Sequence, residues 1–213
     1  MIFRLPEDKL WFPETEFAES DGLLAVGGDL SAERLILAYK SGIFPWFSDD
    51  SPILWYAPHR RFVLFPEKLK VSDSMRRLMQ SGKFEITFDQ AFPEVIKACA
   101  EIKRSDQDGT WITADMQKAY INLFESGYAH SVEVWEKGLL VGGLYGVQIG
   151  TVFCGESMFS KVSNASKAAL IRLCLTKKFT LIDCQIHSTH LESMGAGFIS
   201  MVEYRKYLNR ASQ

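Results

Sequence analysis

The chain has 213 residues, 47% of them hydrophobic and 23% charged. That is room for one large domain or a small domain joined to a medium one, with an ordinary core, and it excludes a disordered chain. The formal net charge of −2 argues against holding nucleic acid by charge alone, so any RNA contact must combine a local basic patch with shape and stacking.

At the N-terminus, MIFRLPEDKLWF is broken by Pro6, Glu7 and Asp8 and does not read as a secretory signal. No apolar run approaches the roughly 20 residues that span a bilayer, so the expected location is the cytoplasm, with no membrane partner. The segment to about residue 58 is rich in aromatic and turn residues and predicts one helix. Asp29 and Ser31 are its N-cap candidates, Leu35, Ile36 and Tyr39 lie at helical spacing, and Gly42 is its stop. Before it, GLLAVGGD lacks the GK[ST] ending of a phosphate-binding loop and reads as a turn into that helix. After it, IFPWFSDDSPILWYAPHRR, with its X-Pro steps and aromatic side chains, reads as a fixed irregular segment.

Helices and strands then alternate. A helix is predicted from Ser72 to Ser81, a strand from Lys83 to Phe88, and helices from Pro93 to Ile102 and from Thr113 to Ser126, the last stopped by Gly127. HSVEVWE, LLVGGLYGVQ and GTVFCGESMF form an antiparallel meander. Asn164 is expected to cap a long helix reaching about Lys177. TLIDCQ is an apolar strand with a polar end, followed by a short helix from Thr189 to Ser193, GAGFI, and an amphipathic helix from Glu203. This order indicates a mixed α/β fold.

Three places could carry chemistry. In CGESMFS, alternation puts Phe153, Gly155 and Ser157 on one face and Cys154, Glu156 and Met158 on the other. Glu156 is then a carboxylate among apolar neighbours, either capping backbone or facing a pocket. In LIDCQ, Asp183 and Gln185 share a face with Leu181, opposite Ile182 and Cys184, at a strand's C-terminal end. They bind either loop amides or a ligand. The aromatic set Tyr39, Trp46 and Trp111 is either core or a platform for an unstacked base. Cys99, Cys154, Cys174 and Cys184 form no CxxC pair and read as buried free thiols. His187 and His190 lack a third ligand at metal spacing, so no metal is expected.

Together with SDGLLAVGGDL, GIFPWF, ILWYAP, GTWIT, GYAHSVEVW, LVGGLYGV, GTVFCGESMFS and NASKAAL, these segments resemble the leucyl/phenylalanyl-tRNA–protein transferase family from about Asp21 to Leu208. The resemblance implies an α/β (α+β) fold with a small N-terminal domain, here 1–58, and an acetyltransferase-like (GNAT) domain, here 59–213. It implies an aminoacyltransferase that moves Leu or Phe, and less well Met, from aminoacyl-tRNA to proteins beginning with Arg or Lys. The new N-terminus marks those proteins for the bacterial N-degron pathway. Where acetyltransferases have a glycine-rich pyrophosphate loop, this chain has SKVSNASKAA, so acetyl-CoA is not expected as donor.

The donor ester is already activated, and roughly a tenth of an acceptor α-amine with pKa about 7.7–8.0 is neutral at pH 7. No cofactor, metal or covalent cysteine is therefore required, and positioning can supply much of the rate. By resemblance, Asp183 and Gln185 are the catalytic relay. The expectation is that they hold the acceptor amine, that Asp183 helps remove its proton, and that Glu156 orients the donor's α-amino group. Leu144, Phe153, Met158, Leu170, Leu173 and Ile182 or Ile186 are expected to form the amino-acid pocket. Trp46 and Trp111 are expected around the terminal adenosine, with Arg76, Arg77 and Lys83 on the acceptor-stem backbone or else on a solvated helix face. A monomer is expected. The rivals are an acetyl-CoA-dependent acetyltransferase and a non-catalytic RNA-binding module.

Overall fold

The computed structural model describes residues 2–102 and 111–211; Gly109 and Thr110 of the GTWIT motif lie outside them. The N-terminal part builds a four-stranded sheet from β1 (Phe3–Leu5), β2 (Leu23–Gly27), β3 (Phe44–Pro45) and β4 (Leu54–Tyr56), in the order β1-β2-β4-β3. Helix α1 (Ala32–Ser41) begins at Ser31, whose hydroxyl accepts the Arg34 amide at 3.4 Å, and ends at Gly42 in the left-handed conformation, as the caps predict.

Two expectations for this part are corrected. GLLAVGGD contains strand β2, and the segment expected to be irregular contains β3, β4 and the start of β5 (Arg60–Leu64). The first two of those strands have two and three residues, too few to display alternation. Pro45 is tolerated because β3 is an edge strand.

The remaining elements are α2 (Asp73–Gln80), β6 (Glu85–Phe88), α3 (Phe92–Glu101), α4 (Ala114–Glu125), β7 (Ala129–Glu136), β8 (Leu139–Ile149), β9 (Val152–Ser160), α5 (Ala165–Leu175), β10 (Leu181–Gln185), α6 (Thr189–Ser193), β11 (Gly197–Ser200) and α7 (Met201–Ala211). Seven strands form a second sheet in the order β11-β5-β10-β9-β8-β7-β6. The predicted meander is present: β7, β8 and β9 pair antiparallel, with Val132 opposite Leu144 and Leu144 opposite Met158. Among the described residues only the β9–β10 pair in this sheet runs parallel. Asn164 does not cap α5 with its side chain; it sits at φ 70°, and Ser160 Oγ accepts the Ser166 amide at 3.3 Å instead. The last helix starts at Met201, two residues before the predicted Glu203.

The sheet is buried on both faces. Tyr39 of α1, Phe92 and Ile96 of α3, Tyr120 and Leu123 of α4 and Tyr204 of α7 cover Tyr145, Cys154 and Leu181 in a core that continues to Leu24 and Trp55 of the first sheet. On the other face, Met75 of α2 and Ala165, Ala168, Leu170 and Leu173 of α5 pack on Val132, Leu144, Phe153 and Ile182. Gly142 makes the α5 contact possible, since a Cβ there would come within 2.4 Å of the Ala165 methyl. No described helix is long and apolar enough to cross a membrane.

Candidate active site

The site arises where β9 and β10 part. Their parallel pairing runs from Leu181 opposite Val152 to Asp183 opposite Cys154 and stops there, while β9 stays paired with β8 as far as Ser160. Both strands are irregular at the fork. Gly155 and Ser157 of β9 face Gly146 and Tyr145 of β8, so Glu156 is the extra residue of a bulge. In β10 the register with β5 shifts between Asp183 and Gln185. Ile186 N donates to Cys184 O at 2.7 Å, closing a γ-turn around Gln185, whose φ is 62°. A non-glycine residue at positive φ in such a turn is strained, and strain of this kind collects at functional positions.

The fork opens into a cavity of about 380 Å³. All seven residues expected to form the amino-acid pocket line it, Leu144, Phe153, Met158, Leu170, Leu173, Ile182 and Ile186; Trp46 and Trp111 line it too, as do Glu156, Asp183 and Gln185. The face assignment made for Met158 needs correction. Simple alternation sets it against Phe153, but the bulge at Glu156 reverses the parity, and both line the cavity. Tyr39 is also corrected: it is buried and does not line the cavity, and its hydroxyl bonds that of Tyr120. Arg76, Arg77 and Lys83 are not in the wall either. Arg76 pairs with Asp73 at 2.8 Å, Lys83 lies 3.7 Å from Glu136, and Arg77 is exposed.

The polar groups divide into two linked sets. Asp183 is 0% exposed. Its Oδ1 accepts Arg61 Nε at 2.9 Å and the Gln185 amide at 2.8 Å; its Oδ2 accepts Arg61 Nη2 at 2.8 Å and the Tyr204 hydroxyl at 2.7 Å. Arg61 is itself fully buried between the Phe44 and Tyr204 rings, at 4.6 and 4.9 Å, and donates through Nη1 to Gly42 O at 3.2 Å. A buried ion pair of this geometry has its charges compensated and its lone pairs used.

Glu156 belongs to the second set and is 8% exposed. Gln185 Nε2 donates to its Oε1 at 2.7 Å and the Tyr120 hydroxyl to its Oε2 at 3.1 Å, which leaves acceptor capacity on both oxygens. Burial pushes its pKa up to about 7; the Asp183 charge acts in the same direction, and hydrogen bonds from Tyr39, Tyr120 and Gln185 act against it. A carboxyl poised near neutrality is suited to accept and return a proton. Burial raises the Tyr39 and Tyr120 phenols well above their ordinary range, so they stay protonated donors.

Sequence reasoning missed Arg61, Tyr120, Tyr204 and His190. Arg61 ends the segment read as fixed and irregular, and its burial depends on a partner 122 residues away. Tyr120 and Tyr204 occupy apolar helix positions that look like plain core. His190 was weighed as a metal ligand; it lines the cavity instead, and His187 Nε2 pairs with Glu192 at 3.1 Å.

Comparison with known proteins bears on this geometry. The family described as leucyl/phenylalanyl-tRNA protein transferase matches residues 63–209, and the N-terminal domain of that family matches residues 28–59. A leucyl/phenylalanyl-tRNA–protein transferase of Syntrophobacter fumaroxidans is 57% identical over 202 residues, covering 93% of this chain and 86% of its own length. One from Christiangramia forsetii is 52% identical over 213 residues, covering 98% and 100%. Among solved structures, FemX superposes with a TM-score of 0.50 at 9% identity, over 79% of this chain and 66% of its own. A GCN5-related N-acetyltransferase from Kribbella flavida gives 0.37 at 10% identity, over 76% and 58%. The mixed α/β architecture shows in the sheet itself, in which, among the described residues, one parallel pair splays within an otherwise antiparallel array.

Proposed function

Since the chain belongs to the leucyl/phenylalanyl-tRNA–protein transferase family and is thus an aminoacyltransferase with aminoacyl-tRNA as donor, we propose that transfer takes place in the cavity between β9 and β10. In this reading Leu or Phe, and less well Met, passes to the N-terminal Arg or Lys of an acceptor protein, which enters the N-degron pathway. The protein acts as a monomer in the cytoplasm, with 1–58 as the small domain and 59–213 as the transfer domain. The end of β4 at Tyr56 and the start of β5 at Arg60 support that boundary.

The observation that carries the reading is the Glu156–Gln185 hydrogen bond at 2.7 Å on the edge of an apolar cavity. The donor side chain fills the space between Leu144, Phe153, Met158, Leu170, Leu173 and Ile182, with Ile186 at the mouth. Trp46 and Trp111 flank the terminal adenosine, and Arg76, Arg77 and Lys83 meet the acceptor stem.

The hydrogen bonding favours a division of labour different from the relay that resemblance implies. Asp183 has both oxygens occupied and no exposed surface, so it acts as a positioning residue that fixes the Gln185 turn. Glu156 takes the proton. The neutral acceptor amine attacks the ester carbonyl, a C–N bond forms, and the amine proton passes to the Glu156 carboxylate. The C–O bond to the ribose then breaks, and the leaving oxygen receives that proton. Gln185 orients Glu156 and the amine.

Labelled Phe-tRNA incubated with a peptide beginning with Arg tests the reading. Transfer is expected to the Arg peptide and to a Lys counterpart, and not to one beginning with Glu. Equal labelling of all three would contradict the acceptor assignment.

A further inference from the structure

Arg61 of β5 is fully buried, and so is the carboxylate it pairs with. Taking two charges out of water is costly, and an apolar pair of the same volume often holds two strands together as well or better. What an arginine adds at such a place is geometry, because its planar fork fixes several acceptors at once. The Arg61 fork reaches two elements. Nε and Nη2 hold the two oxygens of Asp183 on β10, at 2.9 and 2.8 Å, and Nη1 donates to Gly42 O at the end of α1, at 3.2 Å. A third element closes the junction. The Tyr204 ring of α7 lies 4.9 Å from the guanidinium, and its hydroxyl donates to Asp183 Oδ2 at 2.7 Å.

These contacts lead to different parts of the cavity. Asp183 Oδ1 accepts the Gln185 amide at 2.8 Å, within the turn from which Gln185 Nε2 donates to Glu156. Gly42 stands two residues before Phe44, whose ring lies 4.6 Å from the guanidinium, and Phe44, Pro45 and Trp46 line the cavity. Gly42 also rests on α7, since a Cβ there would come within 3.3 Å of the Tyr204 ring. One buried side chain thus ties the strand that carries Gln185 to the wall that carries Trp46. Arg61 and Tyr204 are not themselves in the cavity wall, so any influence on transfer passes through the groups they hold.

We propose that Arg61 is a positioning residue for transfer, setting the Gln185 turn through Asp183 and the Phe44–Trp46 wall through Gly42 O. The Tyr204 hydroxyl serves the first of these tasks alone. The inference rests on Gln185 orienting the acceptor amine and Trp46 flanking the donor adenosine, as proposed above.

The test measures kcat, and KM for Phe-tRNA, with a peptide beginning with Arg. Rates are expressed per folded molecule, the folded fraction being taken from urea unfolding. Arg61→Lys keeps the charge and loses the fork. It should lower kcat about tenfold or more, since a displacement of about 1 Å can cost about 100-fold, and it should raise KM for Phe-tRNA several-fold. Tyr204→Phe keeps the ring and loses only the hydroxyl. It should lower kcat several-fold and leave KM unchanged. In a Gln185→Ala background both kcat penalties should all but vanish, because the turn they set no longer presents a carboxamide. The proposal is overturned if Arg61→Lys keeps its kcat per folded molecule, if either kcat penalty multiplies undiminished with that of Gln185→Ala, or if Tyr204→Phe raises KM as far as Arg61→Lys does. Should Arg61→Lys not fold, the cycle of Tyr204→Phe with Gln185→Ala decides in the same way. The reading beneath the proposal fails differently, through wild-type rates of transfer by Gln185→Ala.

Discussion

Two buried carboxylates of one cavity, Asp183 and Glu156, have opposite duties in the proposed reading because their surroundings differ. Asp183 is locked to Arg61 with both side chains at 0% exposure, so removing either partner strands a charge. Asp183→Ala and Arg61→Ala should each cost about 3–5 kcal/mol, and the double variant should cost clearly less than their sum. Urea unfolding of the three proteins checks this; additive losses would mean the pair is not coupled. Burial raises the Glu156 pKa to about 7, against 4.5 for the free side chain. A raised pKa means the folded state binds the proton more tightly, so this group's contribution to stability is complete below about pH 4.5 and is lost as pH climbs through 7, a change on the order of 3 kcal/mol. Glu156→Gln cannot titrate, so its unfolding free energy should gain on that of the wild type across this window. A constant difference would show that Glu156 is not desolvated. Asp183, Gln185 and Glu156 were legible in the sequence as polar residues in apolar strands, but which oxygens remain free was not, because Arg61 and Tyr204 reach them from distant elements.

At the level of strands, the site depends on β9 and β10 each abandoning regular pairing at the fork. The bulge at Glu156 sits against Gly146, where a Cβ would come within 2.2 Å of Cys154 O and 2.6 Å of the Phe153 ring. Gly146→Ala should therefore destabilise the fold by about 1–3 kcal/mol, as overpacking does, and should lower transfer more than that loss explains, because it displaces Glu156. Comparing melting temperature with specific activity tests this; a variant with normal activity per folded molecule would detach the bulge from function. The meander and TLIDCQ were readable because long strands show alternation or an unbroken apolar run bounded by turns. The short strands β1 to β4 and β5 were not, since RRFVL carries four buried residues in succession and no period. The bulges left no trace in the pattern, so alternation put Met158 on the wrong face.

For the whole molecule, a net charge of −2 argues against holding the donor by overall charge, and in the proposed reading recognition therefore lies at the cavity and a few cations. The pocket's shape should discriminate against β-branched donors: Ile-tRNA should react about 10–200-fold more slowly than Leu-tRNA in kcat/KM, the value of one misplaced methyl group. Equal rates would show that the side chain does not enter this pocket. Reversing the charges of Arg76, Arg77 and Lys83 should weaken Phe-tRNA binding and reduce its salt slope; an unchanged slope would return them to a solvated helix face. The family motifs spanned nearly the full chain and carried the activity, while the assignment of roles within the site came from burial and hydrogen bonding. The central claim is that Glu156 moves the proton, and the pH dependence of kcat/KM for Phe transfer by wild type and Glu156→Gln tests it most directly. The account predicts an ascending limb near pH 7 in the wild type, together with the limb of the acceptor amine. It predicts a loss of about 10²–10⁴-fold in the variant, with only the amine limb remaining. A variant that keeps the neutral limb, or loses little rate, would contradict it.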